Sequence, residues 1–315
     1  MQNEVMTISQ AQTKPKNTKL KFRQQLPMYA MILPSIAILA IFSYYPMIGI
    51  MMAFQDYNPT KGFFGSELVG WENFQYVYEM PDTIRVLWNT IYIAIMKIVA
   101  GLAIPILFAV LLDLVRNSAI KRTVQTVIYM PHFLSWVILS GILIDVLSPT
   151  DGIVSVLMKS FGLEPVFFLA NEDWFPYLLV ISNTWKEFGY GTIIYLAAIT
   201  SIDSSLYEAA VMDGANRFKQ ILHITLPGMA PIIIVMGTLS LGNVLNAGFD
   251  QVFNLYSPVV YSTGDILDTY VYRIGLLNSQ YGVATAAGLF KSVVSFIFIA
   301  IGYKAAMKYA GYRVF

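Results

Sequence analysis

Apolar residues along this chain gather into six long runs separated by shorter polar segments. Each run is long enough for a bilayer-crossing helix, which takes about 20 residues at 1.5 Å rise per residue. The runs fall near residues 28–53, 86–112, 124–147, 175–200, 229–250 and 283–303. They predict an all-α integral membrane protein with six transmembrane helices. Pro34, Gly101, Pro105 and Gly237 interrupt them, and spanning helices tolerate such residues when neighbours satisfy the freed backbone groups. The segment 54–85 is aromatic and acidic (Asp56, Glu67, Trp71, Glu72, Tyr76, Tyr78, Glu79) and reads as a surface helix leading into the second span. In 148–174, the turn Ser148-Pro149-Thr150-Asp151-Gly152 precedes Ile153, Val156, Leu157 and Phe161 at helical spacing. In 251–282, Gly264-Asp265 reads as a cap before a helix over 266–274.

Charge position adds orientation. With the N-terminus inside, 13 of the 20 lysines and arginines lie in cytoplasmic segments: Lys14, Lys16, Lys19, Lys21 and Arg23, then Arg116, Lys121 and Arg122, then Arg217 and Lys219, then Lys304, Lys308 and Arg313. Lys61, Arg85, Lys159 and Arg273 are external, while Lys97, Lys186 and Lys291 fall within spans. This bias puts both termini in the cytoplasm, with a tail over 1–27, a transmembrane domain over 28–303 and a second tail over 304–315. The first tail lacks the small-residue cleavage pattern of a removable signal. The same topology places 203–227 inside.

Composition agrees, with 57% hydrophobic and 12% charged residues, and a net charge of +1 gives no electrostatic case for a nucleic-acid partner. There is no cysteine, so thiolate chemistry and disulfides are excluded. His132 and His223 are far apart, and neither has a carboxylate at metal-ligand spacing, so no metal or catalytic role is assigned to them.

Between the fourth and fifth runs lies Glu208-Ala209-Ala210, three residues, Gly214, nine residues, then Ile224-Thr225-Leu226-Pro227. Ser204 or Ser205 is expected to cap a short helix from Leu206 to about Asp213. The alanines keep its surface small, and Gly214 permits a tight turn. A second helix is expected from Arg217 to His223, ended by Pro227.

The spacing Glu-Ala-Ala-x3-Gly-x9-Ile-x-Leu-Pro resembles, at every fixed position, the EAA motif of binding-protein-dependent ABC importer permeases. The resemblance implies that Glu208, Ala209, Ala210, Asp213, Gly214, Arg217 and Pro227 couple the chain to an ATPase. It implies an assembly of two ABC ATPase subunits, a second permease subunit (commonly a different chain) and an extracellular solute-binding protein in a bacterial or archaeal plasma membrane. No Gly-x4-Gly-Lys-Ser/Thr loop occurs in the chain, so ATP and Mg belong to the partner and no cofactor is assigned here. The runs 129–136, 184–191 and 242–246, with 265–273 and 289–294, are similar to carbohydrate-uptake permeases, nearest the branch for complex oligosaccharides and polysaccharide fragments. The implied cargo is an oligosaccharide. A non-sugar solute is the alternative within the class, and an ion-coupled secondary transporter or an intramembrane enzyme the alternative outside it.

Helix geometry yields candidate pathway residues. In the fifth span Asn243, Asn246 and Asp250 fall at i, i+3 and i+7 and so share one face, and Asn183, Glu187 and Tyr190 do likewise in the fourth, with Trp185 nearby. Amides and carboxylates hydrogen-bond hydroxyls, and aromatic faces suit sugar rings. Polar groups in a bilayer either line a wet cavity or join helices, and both readings stay open. Lys97, Lys186 and Lys291 either pair with Glu187 or Asp250 of a neighbouring span or reach for an interface.

Overall fold

A computed structural model describes residues 18–310; of the predicted tails, 1–17 and 311–315 lie outside the described residues, while 18–27 and 304–310 are helical extensions of the flanking apolar runs. The chain divides into two compact units, 1–50 and 51–315. In the first, helix α1 (Thr18–Leu39) leads into a wider π-turn over Ala40–Tyr44. The Tyr45 N–H there reaches back five residues to Ala40 O, immediately before Pro46. A proline ring crowds the carbonyl four residues earlier, and the wider turn relieves that contact. Met31 and Phe42 are among many exposed apolar side chains on this helix, a surface suited to lipid.

The second unit starts with a two-stranded antiparallel ribbon, β1 (Gln55–Asp56) with β2 (Glu67–Leu68), a departure from the all-α expectation. Asn73 fastens it, donating from Nδ2 to Gln55 O at 2.9 Å and Ala53 O at 3.0 Å. Helix α2 (Glu72–Glu79) follows, then the 34-residue α3 (Pro81–Leu114), whose Pro81 and Asp82 suit a first turn because that turn needs no N–H partner and favours negative charge.

The predicted third span, 124–147, is not one straight helix. It is α4 (Ser118–Tyr129), a short 3₁₀ turn over Met130–Phe133, and α5 (Trp136–Val146), bent by 103°. Pro131 withholds an N–H, and Ser135 restarts the helix by accepting from the Ile138 N–H. Helix α6 (Ile153–Ser160) lies in the next segment as expected. The fourth run forms α7 (Phe175–Thr200) with the predicted bounds.

The predicted fifth span is corrected at both ends. After α8 (Ser204–Met212), the chain is helical from α9 (Arg217–Gln220) through a π-turn (Ile221–Thr225) into α10 (Leu226–Leu241). Pro227 therefore sits in the first turn of α10 and does not end the preceding helix. The Leu226 N–H bonds Ile221 O, repeating the wide turn seen before Pro46. At the far end the helix stops nine residues early, at Leu241. Gly242 and Asn243 are weak helix formers, and Gly248 adopts φ +95, which only glycine enters freely. The chain resumes as α11 (Phe249–Leu255), α12 (Leu267–Tyr272) and α13 (Tyr281–Ala310). Helix α12 starts one residue later than expected. Asp265 is turned away from a cap position toward Arg273 Nη2 (2.5 Å) and Thr269 Oγ1 (2.8 Å).

By length and apolarity, four helical stretches among the described residues qualify as membrane spans: Leu26–Phe54, Pro81–Leu114, Arg217–Leu241 and Tyr281–Lys304. The bent α4–α5 pair would be a fifth. Helix α7 is long enough but carries Lys186 and Glu187. It packs along α3, joining a cluster around Ile93, Phe175, Leu179, Val252 and Ile266 to another around Ala109, Tyr195, Ala198 and Met229. Gly189 lets α7 touch α4, since a Cβ there would lie 1.9 Å from Ile128 O.

Candidate functional site

The 203–227 segment is built almost entirely from local bonds. Asp203, not Ser204 or Ser205, caps α8, accepting from the Ser205 N–H at 2.9 Å. That hydrogen bond lowers the Asp203 pKa below its usual 3.8. At the other end the Ala215 N–H bonds Ala210 O (2.8 Å) and the Gly214 N–H bonds Val211 O (3.0 Å). These are the paired bonds of a Schellman turn, which needs a left-handed residue at Gly214, where φ is +76.

The next turn is equally fixed. Asn216 caps α9 by accepting from the Lys219 N–H, Gln220 Nε2 donates to Ala215 O, and Tyr207 Oη meets Thr225 Oγ1 at 3.0 Å. The outcome is a rigid knuckle with an outward face. Glu208 and Ala209 are exposed, as are Leu206, Val211, Met212 (87%) and Phe218 (71%). Asp213 closes α8, and Arg217 lines a small cavity with Asp113, Ser204 and Tyr207.

The candidate pathway residues divide into three groups. Asn183, Asn243 and Asn246 meet in one cavity of about 240 Å³, together with Lys97, Ser240 and Gly248. Asn243 and Asn246 also border a neighbouring cavity of about 420 Å³ with Lys291, Ser292 and Ser295. The continuous-helix argument for Asn243 and Asn246 fails, because α10 ends at Leu241. The turns of the 242–248 break bring the two amides together instead.

Glu187 and Tyr190 belong elsewhere. Glu187 Oε2 meets His132 Nδ1 at 2.7 Å, Glu187 Oε1 accepts from Lys186 Nζ at 3.0 Å, and Lys186 also donates to His132 O at 2.9 Å. The His132 ring stacks on Tyr190 with centroids 4.3 Å apart. This cluster ties the 3₁₀ turn between α4 and α5 to α7. Trp185 and Asp250 are exposed and outside both cavities, so neither joins the asparagines.

Of the three lysines only Lys186 finds one of the carboxylates expected for it, and it does so within its own helix and not from a neighbouring span. Lys186 binds Glu187 of its own helix, and Lys291 binds Asp268. Lys97 donates to Ala247 O and to Gln251 Oε1. Gln251 is fully buried and donates in turn to Leu179 O and Ser182 Oγ, both at 2.8 Å, joining α3, α7 and α11.

Residues 101–304 match the family described as binding-protein-dependent transport system inner membrane component, over more than half of the chain. The chain belongs to this family. The permease is 42% identical, over 94% of its length and 92% of the relative, to the polygalacturonan/rhamnogalacturonan transport system permease protein YteP of Bacillus subtilis (strain 168). It is 28% identical, over 87% of its length and 85% of the relative, to the arabinooligosaccharides transport system permease protein AraP of Halalkalibacterium halodurans. It superposes with a TM-score of 0.85 at 37% identity on a chain of a bacterial alginate ABC transporter, solved in complex with an alginate pentasaccharide-bound periplasmic protein. That superposition covers 93% of this permease and 98% of the other chain.

Family membership decides for an ABC-importer permease, a transport subunit whose ATP hydrolysis is done by a separate ATPase, and against the enzymatic and ion-coupled readings. Sequence reasoning missed His132, Gln251 and Asp268 as parts of the permease's polar framework. Their partners are 55, 154 and 23 residues away, and no periodicity along one helix exposes such pairs.

Proposed function

We propose that this permease forms one half of the translocation pathway of an importer for an oligosaccharide or polysaccharide fragment. Six membrane crossings and cytoplasmic termini follow if α7 and the bent α4–α5 pair each count as one crossing. The 203–227 knuckle then faces the cytoplasm, where Glu208 and the exposed Met212 and Phe218 offer an acidic and apolar contact to an ATPase groove. Two ATPases carrying Mg and ATP, a second permease and an extracellular solute-binding protein complete the assembly.

The observation that carries the cargo assignment is the convergence of Asn183, Asn243 and Asn246 on one cavity. Amides both donate and accept, which suits sugar hydroxyls, and two of the three flank a helix break. The break at 242–248 and the bend at 130–135 are places where a helical bundle can move between two arrangements. ATP-driven closure of the ATPases would push on the knuckle and open the cavity outward, and hydrolysis would reset it.

Mild detergent extraction followed by affinity purification tests the reading. An ATPase and a second permease should co-purify, and vesicles holding the assembly should take up oligosaccharide only with ATP inside and binding protein outside. Uptake driven by an ion gradient without ATP would refute it.

A further inference from the structure

Lys97, Lys186 and Lys291 fall within the apolar runs, and two of these three have a carboxylate. Lys186 holds Glu187 and Lys291 holds Asp268. Among the described residues Lys97 has none. Its side chain is enclosed, with a relative exposure of 9%, and its two acceptors, Ala247 O and Gln251 Oε1, are neutral. An ammonium has three donors, so one is left over.

The surroundings hold this charge in place. Gln251 is itself fixed by Leu179 O and Ser182 Oγ, and Gly248 allows the close approach, since a Cβ at 248 would lie 3.2 Å from Nζ. Lys97 lines the cavity that Asn183, Asn243 and Asn246 border, and its ammonium sits against Ala247 and Gly248, which line the same cavity. The Asn183 and Asn246 side chains make no hydrogen bond within the described chain, and Asn243 makes only a long one to Leu239 O at 3.4 Å. A buried cation without a counter-charge is costly, and an anion entering beside it gains most of what that isolation costs.

We infer that Lys97 selects cargo by charge, favouring an oligosaccharide that bears carboxylates over a neutral one of the same size. The ammonium meets a uronate carboxylate while the three amides engage ring hydroxyls. This rests on the reading of the asparagine cavity as part of the pathway.

The test uses the complete importer, purified with its companion subunits and binding protein and reconstituted with ATP. Turnover is measured for labelled trigalacturonate and for its carboxyl-reduced, neutral counterpart, each at concentrations that saturate the binding protein. Lys97→Gln should lower the ratio of acidic to neutral turnover about tenfold, and Lys97→Arg, which keeps the charge, should keep most of that ratio. Co-purification of all subunits checks assembly for both variants.

Equal losses on both trimers would make Lys97 a structural residue and overturn the inference. So would an unchanged ratio in Lys97→Gln, or wild-type turnover that is as fast on the neutral trimer, or that is absent on both. If the wild type carries only the acidic trimer, Lys97→Gln and Lys97→Arg are compared on that cargo, and equal losses again overturn it. Failure of the pathway reading shows separately, as unchanged turnover of both trimers when Asn243 and Asn246 are replaced by alanine.

Discussion

The 203–227 knuckle and the asparagine cavity are both built around polar residues and glycines, yet they are held together in opposite ways. Every bond of the knuckle closes within 18 residues, the longest being Tyr207 to Thr225. The cavity depends on bonds such as Lys97 to Gln251 and Gln251 to Leu179, which span 154 and 72 residues. A surface that receives force from another protein must keep its shape when the bundle moves, and local bonds provide that. A cavity that opens and closes needs walls from separate elements, which can part without breaking any one helix.

That contrast is most sharply broken at the knuckle. Gly214→Val forces a β-branched residue to φ +76 and opposes the Schellman turn, a strain of about 1–3 kcal/mol. ATP-dependent uptake in vesicles is expected to fall by about tenfold or more, because the outward face loses its alignment. Glu208→Lys separates shape from chemistry. Glu208 is exposed, so the fold should survive while coupling is lost, and wild-type uptake by this variant would show that the face does not engage an ATPase.

The cavity responds first in stability. Gln251→Leu removes the bridge between α3, α7 and α11 and strands the Lys97 ammonium in the interior. The expected loss is about 3 kcal/mol, read as a lower unfolding midpoint in detergent. An unchanged midpoint would mean that the bundle holds without its central polar bridge. Asn243→Ala combined with Asn246→Ala acts more gently, since both side chains are exposed to the cavity. Two lost hydrogen bonds to cargo, at about 0.5 kcal/mol each for groups that water also reaches, predict about a fivefold loss of uptake with assembly intact.

Legibility in the sequence followed the same division. The knuckle was readable because a glycine four residues beyond Ala210 and an asparagine two residues later fix a turn that a short stretch of chain determines alone. Even there the cap, expected at Ser204 or Ser205, was misplaced by one or two positions, since Asp203 and both serines are competent caps and only the backbone decides among them. Helix α7 was readable to its ends because the run of apolar and helix-compatible residues begins and stops where the helix does. The cavity was readable only in part: Asn243 and Asn246 were correctly grouped, but on a continuous helix that does not exist. Hydropathy is blind to a break where the residues stay apolar, as Val244, Leu245 and Ala247 do. Glu187 was grouped with Asn183 on a shared face, yet His132 claims it from the turn between α4 and α5, a partner no helical spacing reveals.

The smallest expected effect lies at the knuckle's entry and carries a sign. The Ser205 N–H favours the charged form of Asp203 and lowers its pKa, so the cap contributes fully above the unfolded carboxylate value and is lost only as pH falls through the depressed folded one. Between about pH 8 and about pH 5, hydrogen–deuterium exchange over 203–212, corrected for intrinsic rate, should therefore stay level in the wild type and rise only in stronger acid. Asp203→Asn keeps an acceptor that cannot titrate, so its protection should hold through that acid range, whereas Asp203→Ala should exchange faster at every pH. If Asp203→Asn instead behaves like Asp203→Ala, the knuckle depends on the charge at its helix N-terminus more than on the hydrogen bond. The local-bond account of its rigidity would then have to be rebuilt around electrostatics.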